Sequence, residues 1–169
     1  MLDTVTRWLD EHEVGYELIT HPEAFTALDE ARAAGAPPQD AAKTVLLRDD
    51  DGYRLAVIPA LRRLDLERAR HLLGATKHLR LATEHEMEQD FPGLEVGALP
   101  PFGPLLAAPE AVDTRLLQHE RIVCSAGDHS HLLSLNPNDL VRAVGPLVGD
   151  ICRHHPSIHD EDFAETPRI

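Results

Sequence analysis

Two apolar runs meeting at a turn constrain this chain most. Ala42 to Arg48 (AKTVLLR) and Tyr53 to Pro59 (YRLAVIP) flank Asp50-Asp51-Gly52. An Asp-Gly pair between β-forming runs predicts a hairpin, because glycine accepts the positive φ of a tight turn. Helical and extended patterns alternate around it. Leu2, Val5, Trp8, Leu9 and His12 recur at helical spacing, and Tyr16 to Ile19 alternate as a short strand. Thr26 opens a second helix, closed by Gly35 and Pro37-Pro38, and Asp65 opens a third, stopped by Gly74. Lys77 to Leu81 alternate as a strand, and Thr83-x-x-Glu86 caps a short helix. Further strands are expected at Leu105 to Ala108, Arg121 to Ala126 and Ser130 to Leu135, with a short helix near Asp113 to Gln118. Asn136-Pro137 starts a last helix reaching Val144. Interspersed strands and helices make the class mixed α/β. A single domain is expected over residues 1–152, followed by an acidic, mobile tail at 153–169.

Charge narrows the choice of partners. With 16 basic and 29 acidic side chains the net charge is −13, so non-specific binding to nucleic acid is disfavoured and no DNA partner is expected. Residues 54–80 nevertheless carry Arg54, Arg62, Arg63, Arg68, Arg70, Lys77 and Arg80 against Asp65 and Glu67. That stretch reads either as a small phosphate-contacting patch or as a solvated face neutralised by acidic neighbours. No apolar run approaches a membrane span, and the amphipathic, acidic start lacks the features of a signal peptide. A cytoplasmic protein is expected. Cys124 and Cys152 are too few for a disulfide framework and have no metal-ligand spacing; Cys124, within IVCSA, reads as a buried small hydrophobe.

Three places could carry chemistry. Lys43, the only lysine among the first 76 residues, begins an apolar strand; it can meet a phosphate or polarise an acyl oxygen, or simply snorkel. Gly97 to Gly103 (GALPPFG) is a loop whose glycines admit a ligand to backbone N–H groups, or a rigid connector. Among the histidines, His131 suits a pocket-lining hydrogen bond better than metal ligation, and His21 suits a pocket wall or a turn equally. No phosphate-binding glycine motif, nucleophile elbow or zinc-protease motif is present.

In combination these features resemble the YbaK/prolyl-tRNA synthetase-associated family of trans-editing aminoacyl-tRNA deacylases. The resemblance is carried by VGYELITHPEAFT (Val14 to Thr26), AKTVLL with Lys43, YRLAVIP, GALPPFG, IVCSAGDHSHLLSL and NPNDLVRAV. Lys43 followed by Gly97, Pro101 and Gly103 is its most specific pairing. The resemblance implies one curved mixed β-sheet wrapped by helices, with no metal or organic cofactor. It implies hydrolysis of the ester joining a wrong, small amino acid to the terminal adenosine of a tRNA. Lys43 would then anchor the terminal phosphate or ribose, and the Gly97–Gly103 loop, with Gly97 foremost, would hold the acyl carbonyl. The attacking water would be positioned by backbone and a ribose hydroxyl. His21, Thr26, Ala98, Pro101, Gly103 and His131 would line the pocket. The implied partners are mischarged tRNA and an aminoacyl-tRNA synthetase, with no membrane partner. The rival reading is a non-catalytic module that uses the same pocket to bind an aminoacyl or nucleotide ligand or a synthetase; a second rival is an esterase acting on a small aminoacyl ester unrelated to tRNA.

Overall fold

The computed structural model describes residues 1–154, so nearly all of the expected tail lies outside the described residues. The hairpin forms as expected: β2 (Ala42–Asp49) pairs antiparallel with β3 (Gly52–Pro59), Lys43 lying opposite Ile58. Gly52 takes φ 131° at the turn, and the Asp49 carboxylate accepts the Asp51 N–H at 2.9 Å and the Thr76 N–H at 2.9 Å.

Around the hairpin stands a five-stranded sheet in the order β4-β2-β3-β5-β8, formed by adding β4 (Arg80–Leu81), β5 (Glu110–Asp113) and β8 (Leu147–Gly149). A second, antiparallel sheet has the order β1-β7-β6, from β1 (Tyr16–Thr20), β7 (His131–Leu135) and β6 (Ile122–Ser125). The mixed α/β class holds, but the single curved sheet resolves into two, joined through a parallel bridge between Ala41 and Val123. Beyond that bridge β2 and β6 part, and the fork between them becomes important below.

Helices cover both sheets. α1 (Leu2–Glu11) buries Val5, Trp8 and Leu9, with the Trp8 ring 5.2 Å from Phe102. α2 (Ala27–Ala33) begins at Thr26, whose hydroxyl accepts the Asp29 N–H at 3.1 Å. α3 (Leu66–Leu73) is capped by Asp65 and ends at Gly74 in the left-handed region, and α4 (Glu84–Asp90) starts with a complete capping box of Thr83 and Glu86. α5 (Pro137–Val144) is capped by Asn136. Each cap satisfies amide donors that a first helical turn leaves orphaned.

Strand alternation divides the core. One face of the hairpin sends Ala42 and Val57 into a cluster with Trp8, Phe102, Cys124 and Leu133, and Leu46 and Leu55 into another with Met87 and Leu99. The other face sends Val45, Leu47, Ala56 and Ile58 against Ala69, Ile151 and Cys152. Each of the valine, leucine, isoleucine, phenylalanine and methionine side chains contributes roughly 1.5–3 kcal/mol on full burial. Both cysteines are free and buried.

Two expectations need correction. Of Lys77 to Leu81 only Arg80 and Leu81 pair, because the preceding residues turn back: the Leu79 N–H bonds the Thr76 carbonyl and the His78 ring meets Asp50. Leu105 to Ala108 is not a strand; Gly103–Leu106 form a 3₁₀ turn and the strand is β5, at Glu110–Asp113. The short helix expected near Asp113 to Gln118 forms, as a 3₁₀ helix at Thr114–Gln118 capped by Asp113.

Candidate active site at the fork between the sheets

The site begins with a consequence of register. Ala41 and Val123 face each other across the parallel bridge, so two residues further along each strand Lys43 and Ser125 point from the same face of the fork. α2 lies over that face, its Ala31 packing with Ala41, Ala60, Val123 and Leu132. Glu30, one residue before Ala31, is thereby carried inside, fully buried, where it accepts a hydrogen bond from the Ser125 hydroxyl at 2.5 Å.

Three loops close the end of the fork. The His21 N–H bonds the Ser130 carbonyl at 2.9 Å and the Ala24 N–H bonds the His129 carbonyl at 3.1 Å. Glu95 ties in the third loop: its N–H bonds the Gly127 carbonyl at 3.0 Å and its carbonyl accepts the Ala98 N–H at 3.0 Å. Its carboxylate also accepts the His129 N–H at 3.1 Å. The His21–Thr26 segment, the glycine–proline loop and the His129–His131 region, expected to line one pocket, are thus stitched together.

The individual residues divide between structural and open roles. Gly103 is fixed by its surroundings: its N–H bonds Glu110 Oε1 at 2.8 Å, and a Cβ there would lie 2.3 Å from the Ala108 carbonyl oxygen. Its amide is therefore unavailable to a ligand. The Ala98 amide is occupied by Glu95, and Pro101 is buried without a donor. Gly97 differs. It holds φ 87°, and among the described residues its N–H has no acceptor. Thr26 serves as the α2 cap. The His131 ring nitrogen Nδ1 meets the Asp128 carboxylate at 2.9 Å. His21 is buried, with Nδ1 held by the Pro22 carbonyl at 2.7 Å and Nε2 without a partner.

Lys43 and the apolar side chains of the glycine–proline loop meet different faces of β2. Lys43 shares the face of Val45 and Leu47, whereas Leu99 and Phe102 pack on the face of Leu46 and Ala42. No carboxylate among the described residues pairs with Lys43. Burial, with a further contribution from Arg63 against an opposing one from Cys152, brings its ammonium down to about 8. Burial also pushes the Glu30 carboxyl up to about 8, against the Ser125 hydrogen bond and assisted by the charges of Asp128 and Glu95.

The unpaired atoms mark the site most clearly. Among the described residues Glu30 Oε1, His129 Nδ1 and His21 Nε2 are buried without a hydrogen-bond partner at the loops that meet here, while Thr44 Oγ1, on the face of β2 opposite Lys43, Arg54 Nε and Glu110 Oε2 are the other such atoms. Each such atom costs about 1–3 kcal/mol, and folded proteins keep few of them. Glu30, Thr44, Glu95 and Ser125 escape a reading of the sequence. Glu30 sits in an ordinary amphipathic helix pattern and Ser125 at the end of an apolar run. Their only sequence signal is a buried-strand serine, which by itself means little.

Four of the bases in the 54–80 stretch are paired with carboxylates. Arg54 meets Asp49 at 3.5 Å, Arg68 meets Asp65 at 3.5 Å and Arg80 meets Glu86 at 2.7 Å, while Arg70 bonds Glu67. No helix among the described residues is long and apolar enough to cross a membrane.

The domain thus pairs two sheets that part at a fork with buried, unpartnered polar atoms at the loops beside it. The profile of the aminoacyl-tRNA editing domain matches residues 21–143, and the chain belongs to that family. It is similar to the proline–tRNA ligases of Fervidobacterium nodosum and Thermosipho melanesiensis, with 32% and 30% identity over 94 residues. Those matches take in 56% of this chain and 16% of each ligase, so the likeness is to one small part of a much longer enzyme. Among solved structures, one called a "putative trans-editing enzyme for prolyl tRNA synthetase" superposes with TM-score 0.78 at 26% identity, over 90% of this chain and 97% of that one. The hypothetical protein APE2540 superposes with TM-score 0.78 at 27% identity, over 88% and 99%.

Proposed function

We propose that this protein is a trans-editing hydrolase that removes a small, wrongly attached amino acid from the 3′ end of a tRNA. The observation that carries this reading is the fork itself. In a member of the editing-domain family, three separate loops and two strand faces converge on buried polar atoms that lack partners. In this reading Lys43 anchors the terminal phosphate or ribose, its half-buried ammonium forming no ion pair among the described residues. The free N–H of Gly97 receives the acyl oxygen as negative charge develops on it, where a pre-aimed donor is most effective. Water attacks the ester carbon, the carbonyl oxygen becomes the oxyanion, and its collapse expels the ribose oxygen, which takes a proton. An aminoacyl ester is already activated, so positioning and oxyanion stabilisation suffice without a metal or cofactor.

A separate hydrolytic pocket also suits the energetics of discrimination. One methylene distinguishes amino acids by only about 1–3 kcal/mol in a synthetase pocket. A second site that excludes the larger correct residue supplies the remainder. The partners in this reading are mischarged tRNA and a synthetase in the cytoplasm; the paired arginines leave little basic surface, so RNA contact is confined to the acceptor end. The test is a panel of tRNAs carrying alanine, cysteine, serine or threonine, with release of the amino acid compared with spontaneous hydrolysis. Turnover of at least one is expected. Binding without turnover on every substrate would replace the hydrolase with a binding module.

A further inference from the structure

We propose that Glu30 receives the α-ammonium group of the aminoacyl ester, and that the His129 ring, backed by Phe25, is the door to it. The inference rests on the editing reading above and adds the group that recognises the amino acid's own charge.

Glu30 is fully buried, and only half of its carboxyl is satisfied. Oε2 is held by the Ser125 hydroxyl, whereas Oε1 has no partner and faces the equally unpartnered Nδ1 of His129 at 4.0 Å. That separation is too long for a hydrogen bond. Oε1 is thus a vacant acceptor inside the fork, and it differs from the likewise unpartnered Oε2 of Glu110 in facing His129 and the charges of Asp128 and Glu95. The groups facing it are Ser125 from β6, His129 and Asp128 from the loop before β7, and Glu95 from the glycine–proline side. The charges of Asp128 and Glu95 both act on Glu30, so the local field favours a cation. No cation of the protein answers it among the described residues. Lys43, on the same face of the fork, forms no ion pair with it.

Access runs through one ring. The His129 side chain lies between Glu30 and Glu95, its Nε2 3.6 Å from the Glu95 carboxylate at the rim. The Phe25 ring rests 4.9 Å from it and is 61% exposed. Rotation of His129 towards Glu95 uncovers Oε1 without disturbing a strand. The ligand that satisfies this fork carries an ammonium for Glu30 and, a ribose away, an anionic phosphate for Lys43. The aminoacylated end of a tRNA has that charge pattern. Because burial keeps the empty Glu30 carboxyl protonated at neutral pH, an arriving ammonium drives it to ionise, and binding releases the proton.

The test uses two non-hydrolysable probes, adenosine 5′-phosphate bearing a 3′-amide-linked alanyl group or a 3′-amide-linked lactyl group. The lactyl probe replaces the ammonium by a hydroxyl. Titration calorimetry at about pH 6.5, in two buffers of different ionisation enthalpy, reads affinity and proton exchange together. Wild-type protein is expected to prefer the alanyl probe by about tenfold and to release about one proton. Glu30→Gln, close in shape to the protonated carboxyl, is expected to bind both probes alike and release none. Equal binding of the two probes by wild type, or a preference that survives in Glu30→Gln, overturns the proposal. If the variant does not fold, wild type alone decides. By about pH 9 Glu30 is already ionised and the probe's amine is neutral, so proton release must turn to uptake; unchanged release overturns the assignment. Wild type that hydrolyses alanyl- and lactyl-tRNA equally leaves the editing function standing and removes only Glu30. Failure to hydrolyse any mischarged tRNA overturns both.

Discussion

The two ends of β2 carry charge in opposite ways. At its far end Arg48 pairs with Glu86 at 2.5 Å, Arg80 joins the same carboxylate, and Tyr53 bonds Asp90. Every charge there has a partner, and the cluster is open to water. At its near end Lys43 and Glu30 are withdrawn from water, share one face and remain unpaired, each displaced to about 8 by burial. Charge that is solvated and paired fixes surface geometry and contributes little else. Charge that is desolvated and unpaired raises the free energy of the empty protein and is retained where a ligand completes it.

Mutation should separate the two ends sharply. The largest effect is expected for Lys43→Ala, with deacylation of a mischarged tRNA falling by about a hundredfold or more while the circular dichroism spectrum and unfolding midpoint stay near wild type. Near-normal turnover would place the near end with the far end as mere structure. Gly103→Ala comes next. Its methyl would meet the Ala108 carbonyl oxygen at 2.3 Å, so a stability loss of about 1–3 kcal/mol is expected in denaturant titration.

A third, smaller effect is a pH slope. Burial, opposed by the Gly103 N–H, raises the Glu110 carboxyl from 4.5 to about 8, and Glu30 moves likewise. Between those values the unfolded chain has lost protons that the folded protein keeps, so stability should fall as pH rises from about 4.5 to about 8. Glu110→Gln should flatten that slope in unfolding experiments at several pH values; an unchanged slope would remove Glu110 from the account. The smallest effect is expected at the far end. Arg80→Ala should leave both unfolding midpoint and turnover within experimental scatter, and a marked loss of turnover there would return the basic stretch to RNA binding.

The fold was more legible than the site. Asp50-Asp51-Gly52, Asp65, Gly74, Thr83 with Glu86, and Asn136-Pro137 place their elements because turn and cap chemistry is local. β5 and β8 were missed because EAVD and LVG carry no periodic signal and exist as strands only through parallel pairing with distant partners. At the site, Lys43 and the Gly97 loop stand out as an isolated lysine and a cluster of glycine and proline. Glu30 does not, since a glutamate in a helix is ordinarily solvated.

The sequence by itself determined the class, the hairpin, the caps and the loops that meet at the pocket, all of which follow from interactions among near neighbours. Only the tertiary structure decided that β2 parts from β6 beyond Ala41 and that α2 turns Glu30 inward beneath that fork. Burial and strand pairing between segments far apart in the chain set those relations, and no local pattern of residues encodes them.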